Sequence, residues 1–233
     1  MTNKFENTLF LIPARGGSKG LTGKNIKELF GKPLLYYTID AARGLVDDDN
    51  ICLSTDSDEI IQVAKEHSLA VPFKRPDEYA SDKSGTTEVI QHALNHYINE
   101  GRNFQSVILL QPTSPLRTSI DISQAFDLFS EDIDMVVSVS KCKSNPFYNL
   151  FEETESGFLK KTFETHHSQR QDLKSEYYQY NGAIYIINTS SFFKRDISEF
   201  QKVKKYEMST LNSIDIDTYD DWMYAEYLLQ KRD

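Results

Sequence analysis

A glycine-rich loop with basic and amide side chains follows the first apolar run of the chain. Residues 13–25 read PARGGSKGLTGKN, and the side chains there that can contact an anion are those of Arg15, Lys19, Lys24 and Asn25. Glycine permits backbone conformations that turn N–H groups toward a phosphate, and it leaves no side chain to block close approach. Neighbouring cations add charge-assisted hydrogen bonds, each contributing about 1.5–3 kcal/mol when well placed. The pattern predicts a site for a phosphate-bearing anion, although a glycine-rich surface turn is also compatible with it.

Two familiar phosphate-binding motifs do not fit this loop. Walker A requires a glycine five residues before its Gly-Lys pair and Ser or Thr after it, whereas Ser18 precedes Gly23-Lys24 and Asn25 follows. The dinucleotide motif GxGxxG requires glycine where Arg15 stands. The loop therefore belongs to neither class of nucleotide-binding protein.

Two aspartates near the end of the sequence have the spacing of a cation site. Asp215 and Asp217 lie in the stretch SIDIDT. On an extended segment, side chains at i and i+2 face the same side, about 6.5 Å apart along the chain. Mg²⁺ is typically held by one or two carboxylates together with substrate phosphates. The spacing predicts a divalent-cation site, while an ordinary acidic pair at a strand end remains compatible with it.

Further polar side chains follow other apolar runs. Asp56 ends the second predicted strand, Arg75 follows the third, and Gln111 ends the fourth, in the stretch LLQPTSPLR. Ligands of open α/β sheets bind at the carboxyl ends of strands, so these residues are candidates for ligand contact. A surface ion pair for Arg75 with Asp77 or Glu78, and a polar cap on a buried strand for Gln111, are the simpler alternatives.

The elements that must position these residues alternate between strands and helices. The predicted strands are 8–13, 50–55, 71–74, 106–111, 134–140 and 183–188. The predicted helices are 33–43, 58–67, 87–99 and 121–130. This alternation predicts parallel βαβ units in a three-layer α/β fold with a mostly parallel central sheet.

One segment breaks the alternation. Residues 141–180 are aromatic and charged, with hairpin-like pieces but no strand–helix rhythm. We predict a single domain over residues 1–233 with an insertion at about 141–180. On composition alone the insertion is compatible with covering the site, with pairing to another subunit, with both, or with a plain surface excursion.

The composition excludes several functions. The chain has 233 residues, 39% of them hydrophobic and 26% charged, which is ordinary for one large α/β domain. A net charge of −9 argues against broad binding to nucleic acid or anionic membranes, and no apolar run approaches the ~20 residues of a membrane-spanning helix. Cys52 and Cys142 form no CxxC pattern, and residues 1–14 are more typical of a first strand than of a signal peptide. We therefore expect a cytoplasmic protein that binds neither nucleic acid nor membranes.

Taken together, the motifs form the signature of one enzyme family. The string ARGGSKGLTGKN is followed by LSTDSDEI, RPDEYASD, LLQPTSPLR, NGAIYI and SIDIDT, from near residue 9 to near residue 219. In this order they resemble the acylneuraminate cytidylyltransferases, also called CMP-sialic acid synthetases. The resemblance implies a nucleotide-diphospho-sugar transferase-like fold and transfer of CMP from CTP to a nine-carbon 2-keto sugar acid, with release of pyrophosphate. It also implies Mg²⁺, or another divalent cation such as Mn²⁺, and a homodimer formed through the insertion.

The resemblance also implies a role for each matching residue. The nucleotide-binding residues that it implies are Arg15, Gly16, Gly17, Ser18, Lys19, Lys24, Asn25, Arg75 and Thr86. The sugar-binding residues that it implies are Gln111, Arg170, Asn181 and Tyr185. Asp215 and Asp217 are implied as metal ligands, and Arg15, Lys24 and Asp217 as catalytic residues. For Tyr185 the sequence alone leaves a core position open, since most strand tyrosines are core residues.

Two departures from the family pattern concern the sugar. Sialate enzymes often carry an arginine just before PNGAIY, whereas this chain has Tyr178-Gln179-Tyr180 there, and Tyr148 in NPFYN replaces a lysine. The NPFYN form resembles the members that act on legionaminic acid, and fewer cations with more aromatic residues suit a less hydroxylated sugar. Two alternatives stay open: a cytidylyltransferase for the eight-carbon acid Kdo or a related acid, and a regulatory module that binds nucleotide without turnover. The intact aspartate pair argues against the regulatory module, because a pure binding protein does not need a metal pair.

Overall fold

The short β-branched runs of the sequence form a six-stranded sheet. The computed structural model describes residues 4–17, 20–80, 85–163 and 176–232. In chain order the strands are β1 (Thr8–Pro13), β2 (Glu28–Leu29), β3 (Lys32–Pro33), β4 (Ile51–Ser54), β5 (Ser106–Leu110), β6 (Met135–Lys141), β7 (Phe151–Glu153), β8 (Leu159–Lys161), β9 (Tyr178–Asn188) and β10 (Val203–Glu207). The helices are α1 (Leu34–Arg43), α2 (Asp58–Glu66), α3 (Thr86–Asn99), α4 (Ser119–Phe126), α5 (Thr189–Phe192) and α6 (Tyr219–Gln230). The sheet has the order β10-β6-β9-β5-β1-β4, and β2–β3 and β7–β8 are separate two-stranded pairs.

Strand β9 is the one antiparallel member of the described sheet. Strand β1 runs parallel to β4 and β5, and β6 runs parallel to β10, but β9 pairs antiparallel with both β5 and β6. Parallel neighbours need a crossover, usually a helix, whereas an antiparallel neighbour does not. The chain passes from β6 to β9 through the predicted insertion, where the described residues form no helix, so β9 returns antiparallel. The predicted mostly parallel sheet is confirmed.

Two helical layers cover the sheet because its strand residues alternate between two faces. Phe10 and Ile12 of β1 pack in one core with residues of α1, α2 and α4, while Leu9 and Leu11 pack in a second core with residues of α3. All four of these strand side chains are completely buried. Strands buried on both faces read as continuous apolar runs, which is why β1 could be recognised. The three-layer architecture predicted from the sequence is confirmed.

Some predicted elements were wrong in kind or in extent. Residues 71–74 were predicted as a strand but form none; the segment lies beside β4, where the Arg75 N–H donates to the Thr55 carbonyl at 2.7 Å. Its Val71 and Phe73 pack against different cores, which explains the alternating pattern without strand pairing. The helix predicted at 121–130 is α4, which begins earlier because Thr118 caps it. Strand β10 and helix α6 were not predicted.

The described part of the insertion carries an exposed hairpin. Strands β7 and β8 pair antiparallel within residues 141–180, and the side chains of Phe158 and Leu159 there are 73% and 71% exposed. Whether the insertion covers the site or joins another chain stays a prediction. Among the described residues there is no helix long and apolar enough to cross a bilayer.

Candidate active site

The glycine-rich loop begins where β1 ends, and the end of β4 holds it in place. The Ala14 N–H donates to the Ser54 carbonyl at 2.9 Å, which continues the β1–β4 pairing into the loop. The Gly16 N–H donates to Asp56 Oδ1 at 3.0 Å, and a Cβ on Gly16 would lie 3.0 Å from the Ser57 Cβ. Only glycine fits this close approach without a shift of the neighbouring side chain. The loop is thus fixed at the carboxyl edge of the sheet, where α/β ligands bind.

Asp56 also holds the buried Arg75. The Arg75 Nη2 donates to the same Asp56 Oδ1 at 3.4 Å, and the arginine side chain is only 4% exposed. Burial lowers the pKa of the Arg75 guanidinium, and the Asp56 carboxylate opposes that effect. Within the described part of the chain its Nε is buried and has no hydrogen-bond partner. Arg75 therefore pairs with Asp56 and keeps one donor that the described residues do not use.

The far end of the loop contacts the aspartate pair directly. Lys24 Nζ donates to the Ile216 carbonyl at 2.6 Å and to Asp217 Oδ1 at 3.2 Å. The carbonyl oxygen of Asp217 would lie 2.2 Å from a Cβ on Gly20, so the two backbones touch there. The side chain of Lys24 is 12% exposed, whereas that of Asp217 is 75% exposed. An anion-binding loop and a candidate cation site therefore share one wall.

The segment that carries the aspartates is held by its middle residue and by helix α6. Ile216 is completely buried, and its N–H donates to the Thr113 carbonyl at 2.9 Å. The Asp217 N–H donates to Asp221 Oδ2 at 3.1 Å, and Thr218 forms a capping box with the same Asp221. A capping box satisfies free N–H groups at a helix start and fixes how the chain enters the helix. The positions of both aspartates therefore follow from the start of α6.

The aspartate pair fits a divalent cation. Among the described residues Asp215 Oδ1 is buried without a hydrogen-bond partner. Burial raises the pKa of this carboxyl, the Asp217 carboxylate adds to the effect, and Thr113 and Lys24 oppose it. A buried unpartnered carboxylate oxygen is costly unless a cation satisfies it. Among the described residues no group of three or more His, Cys, Asp or Glu side chains is placed to hold a metal ion. Two carboxylates would thus need water and ligand oxygens to complete a magnesium shell, which is how Mg²⁺ is commonly bound.

Two adjoining cavities lie over these residues. The larger has a volume of about 340 Å³ and is lined by Arg15, Lys24, Asn25, Gln111, Thr113, Asp215 and Asp217, with Pro13, Gly20 and Pro112. The smaller has a volume of about 160 Å³ and is lined by Arg75, Gly85, Thr86 and Val89, with Pro13, Arg15 and Gln111. Pro13, Arg15 and Gln111 belong to both linings, so one ligand can extend from one cavity into the other.

Comparison with known proteins decides the family. A family model described as cytidylyltransferase matches residues 9–233. The chain belongs to this cytidylyltransferase family. The family membership confirms the resemblance inferred from the motifs, and the match covers the loop, both cavities and the aspartate pair.

Several proteins similar to this chain are known. The N-acylneuraminate cytidylyltransferase of Streptococcus agalactiae serotype V is 35% identical over 92% of this chain and 51% of its own length. The CMP-N,N'-diacetyllegionaminic acid synthase of Legionella pneumophila is 33% identical over 95% of this chain and 96% of its own. The structure of CMP:2-keto-3-deoxy-manno-octonic acid synthetase complexed with CTP superposes with a TM-score of 0.69 at 14% identity, over 97% and 99% of the two chains, which shows the shared fold. This chain spans about half the length of the streptococcal relative, 51%.

The structure brings together most of the site residues predicted from the sequence. Six of them line the larger cavity: Arg15, Lys24, Asn25, Gln111, Asp215 and Asp217. Arg75 and Thr86 line the smaller one with Arg15 and Gln111, and Gly16 is held by Asp56 beneath the loop. Gly17 lies in the same loop with open space around its Cα. Ser18, Lys19 and Arg170 lie outside the described residues.

Asn181 and Tyr185, predicted as sugar contacts, line neither cavity. The Asn181 amide is used within the core: its Oδ1 accepts from the Ser138 hydroxyl at 2.6 Å, and its Nδ2 donates to the Ser213 hydroxyl at 2.9 Å. These contacts engage both polar atoms of the Asn181 amide inside the protein. A sugar contact for Asn181 stays a prediction. Tyr185 is half-buried, and burial and then the Asp215 carboxylate raise the pKa of its hydroxyl.

Two residues of the site, Gly20 and Gly182, were not singled out in the sequence, whereas Thr113 belongs to the stretch LLQPTSPLR that was. Gly182 has φ of +75°, and a Cβ there would lie 3.0 Å from Asp215 Oδ2, so it lets strand β9 approach the aspartate. Thr113 lines the larger cavity and holds Ile216. Gly20 allows the loop to touch Asp217. The glycine directly before the string AIY was the signal from which the role of Gly182 could have been predicted. The contacts of Gly20 and Thr113 could not be predicted in this way, because they join segments about a hundred residues or more apart.

Replacing Asp215 by asparagine is expected to stabilise the protein when no divalent cation is present. The folded-state pKa of Asp215 is raised above its ordinary value of 3.8. The folded protein therefore binds this proton more tightly than the unfolded chain, and the stability from this group is lost as the pH rises through the folded-state pKa. At pH 7 Asp215→Asn removes the buried charge, and we expect the unfolding temperature to rise by about 2–4 °C, the shift that about 1 kcal/mol produces in a domain of this size. The gain should shrink as the pH is lowered; a lower unfolding temperature at pH 7 in chelator would contradict the electrostatic account.

Proposed function

We propose that this cytidylyltransferase transfers CMP from CTP to the anomeric hydroxyl of a nine-carbon 2-keto sugar acid. The observation that carries the proposal is the contact of Lys24 Nζ with the Ile216 carbonyl at 2.6 Å and with Asp217 Oδ1 at 3.2 Å. It joins a loop suited to phosphate with a pair suited to a divalent cation, which is the combination that a nucleoside triphosphate requires. Membership of the cytidylyltransferase family supports CTP as that nucleotide.

The two cavities suggest how CTP is placed. The smaller cavity, about 160 Å³, has Arg75 and Thr86 for a polar base edge and Val89 for an apolar face. The larger cavity, about 340 Å³, has the cations and the aspartates that suit a triphosphate. Arg15 lines both cavities, so it lies where the nucleoside joins its phosphates.

The proposed reaction is a single displacement at the α-phosphate. The sugar hydroxyl oxygen bonds to the α-phosphorus and releases its proton to water. The bond from that phosphorus to the oxygen bridging to the β-phosphate breaks, and pyrophosphate leaves with its electron pair. Arg15 and Lys24 donate to phosphate oxygens and stabilise the charge that grows on the leaving group, and Gln111 orients the sugar acid. Bound by Asp215 and Asp217, Mg²⁺ or Mn²⁺ would supply Lewis-acid neutralisation of the phosphate charge. Positioning and electrostatics then carry the catalysis.

Within this substrate class we favour a legionaminic-type acid. The Legionella relative, named for that sugar, matches 96% of its own length at 33% identity. The insertion and the start of β9 offer tyrosines where sialate enzymes of the family carry cations, and Tyr148 and Tyr180 are 50% and 57% exposed. Aromatic surfaces suit the deoxygenated and acylated positions of such a sugar.

The proposal is tested by pyrophosphate release from CTP and Mg²⁺ with N-acetylneuraminate, legionaminate, pseudaminate and Kdo in parallel. Release with a nine-carbon acid supports the reaction, and the preferred acid identifies the sugar. Pyrophosphate release with Kdo alone would show that the substrate is an eight-carbon acid and would contradict the proposed nine-carbon substrate. No release with any of the four, from folded protein that binds CTP, would contradict turnover and favour a nucleotide-binding regulatory role.

Gly20→Ala is expected to lower turnover about 10²-fold, because a displacement of about 1 Å near the chemistry has that effect. The new Cβ would lie 2.2 Å from the Asp217 carbonyl oxygen, so the loop and the aspartate pair must separate. Pyrophosphate release measures the loss, and circular dichroism with thermal unfolding checks that the fold persists. Turnover within about twofold of wild type would show that the touching backbones do not matter.

We also propose that the enzyme is a cytoplasmic homodimer. The hairpin β7–β8 exposes Phe158 and Leu159 at 73% and 71%, an unusual exposure for two adjacent large apolar side chains. Light scattering on a sizing column should give twice the mass of the chain, and Phe158→Asp with Leu159→Asp should halve it. An unchanged mass would place the interface elsewhere.

A further inference from the structure

Arg117 is a fully buried cation just behind the wall of the two cavities. It ends the stretch QPTSPLR and is only 3% exposed. Its Nη1 donates to the Gln111 carbonyl at 3.0 Å and to the Ala183 carbonyl at 2.9 Å, and its Nη2 donates to the Thr38 hydroxyl at 2.8 Å. Arg117 belongs to the stretch LLQPTSPLR that follows the fourth predicted strand, but it lines neither cavity.

The two carbonyls belong to strands that separate at this point. The β5–β9 ladder has Leu110 opposite Ile184 as its last pair at this end. Gln111 directly follows β5, and the residue opposite it on β9 is Ala183. Arg117 Nη1 therefore donates to both carbonyls at the point where the hydrogen-bond ladder between β5 and β9 has ended. Holding the carbonyl of Gln111 fixes the orientation of its peptide and so the direction of its side chain, which lines both cavities.

A guanidinium in this position is retained at a cost. None of the ion pairs among the described residues involves Arg117. Burial lowers the pKa of Arg117 to about 9, and the Asp121 carboxylate opposes the shift. In the part of the chain that the structure describes, its Nε is buried without a hydrogen-bond partner. A buried charge without a carboxylate partner is expensive for the fold. A methionine of similar length would fill the same space without a charge, so the cost indicates a function beyond packing.

We propose that Arg117 is a positioning residue, which clamps the separating ends of β5 and β9 and thereby orients Gln111 toward the sugar acid. This inference rests on the proposed function of the site. Arg117 itself touches no substrate. It acts through Gln111, so its removal should weaken sugar binding rather than CTP binding.

A double-mutant cycle tests this dependence. Arg117→Met should raise the sugar KM at least about tenfold and change the CTP KM less than about threefold, since a shifted contact weakens only the ligand that it touches. In a Gln111→Ala background the same change should have an effect of less than about threefold, because residues that act as a unit are not additive. Arg117→Lys should recover part of the loss, since an ammonium also donates to carbonyls. Additive effects on the sugar KM, or equal effects on both KM values, would overturn the proposal.

Controls separate this outcome from a failure to fold and from a wrong function. Arg102→Met removes another structural arginine, which lies before β5 and donates to the Asp49 carbonyl and the Asn50 side chain. The effect of this change on the sugar KM should be additive with the effect of Gln111→Ala. If Arg117→Met does not fold, Thr38→Val removes one acceptor of the guanidinium and should give a smaller shift of the same kind. Hydrogen exchange of residues 108–113 should also rise in either variant, whether or not any sugar is turned over. Unchanged exchange there would overturn the proposal, whereas wild-type enzyme without pyrophosphate release would contradict only the proposed function.

Discussion

Replacing Asp217 by alanine is expected to reduce pyrophosphate release by about 10³-fold, or about 4 kcal/mol, the range of a lost metal-assisted charge stabilisation. The Asp217 side chain is 75% exposed, and its carboxylate accepts from Lys24 Nζ at 3.2 Å. Its backbone contacts, the N–H to Asp221 Oδ2 and the carbonyl against Gly20, do not depend on the carboxylate. The fold should therefore persist while the cation loses a ligand.

Asp220 provides a matched control for this substitution. It is an exposed aspartate in the first turn of α6 and lines neither cavity. Asp220→Ala should leave pyrophosphate release within about twofold, because surface substitutions away from special features have small effects. Both variants are compared at saturating CTP over a series of Mn²⁺ concentrations. Near-normal turnover of Asp217→Ala, or an equal loss in Asp220→Ala, would contradict metal binding by Asp215 and Asp217.

Lys24→Met is expected to reduce turnover by about 10²–10³-fold, the cost of removing one donor that stabilises developing charge. In the structure the Lys24 ammonium lies against the Ile216 carbonyl and Asp217 Oδ1, and only 12% of the side chain is exposed. We expect CTP phosphates to draw this ammonium away from Asp217. The same group would then contact the aspartate before CTP binds and the phosphates afterwards. The variant should also unfold at a lower temperature, because it leaves the Ile216 carbonyl without a donor.

Lys27→Met is the control for Lys24→Met. Lys27 lies three residues further on and stacks over the ring of Trp222 at 4.9 Å, outside both cavities. Its loss should lower stability slightly without changing turnover by more than about twofold. A Lys24→Met enzyme with normal turnover and a normal CTP KM would show that the loop holds the triphosphate through other groups.

The sequence predicted the position of the site better than its internal contacts. A loop placed directly after an apolar strand must emerge at the carboxyl edge of a parallel sheet, so the location of Arg15 followed from local pattern alone. The aspartate pair could be recognised from its spacing, and both carboxylates do line the larger cavity. The bridge from Gly16 through Asp56 to Arg75 could not be predicted, because it joins three segments through one carboxylate oxygen.

The missed elements have local causes. Helix α6 begins with Thr218 and Asp221, and α4 begins with Thr118 and Asp121, both as capping boxes. The same four-residue signal was present in the sequence and would have placed both helix starts. For residues 71–74 the sequence pattern was misleading. Alternating apolar residues indicated a strand, but the segment forms no strand and its apolar side chains pack in two different cores. The polar neighbourhood of Asn181 depends on Ser138 and Ser213, which only the fold brings to it.

The central claim is that the glycine-rich loop and the aspartate pair bind one metal–nucleotide complex across two cavities. The most direct test is an anomalous difference map from crystals grown with Mn²⁺ and a non-hydrolysable CTP analogue. We predict a manganese peak between the Asp215 and Asp217 carboxylates, with the triphosphate beside Arg15 and Lys24 and the base against Arg75 and Thr86. A peak away from both aspartates, or a base seated in the larger cavity, would contradict the assignment of the site.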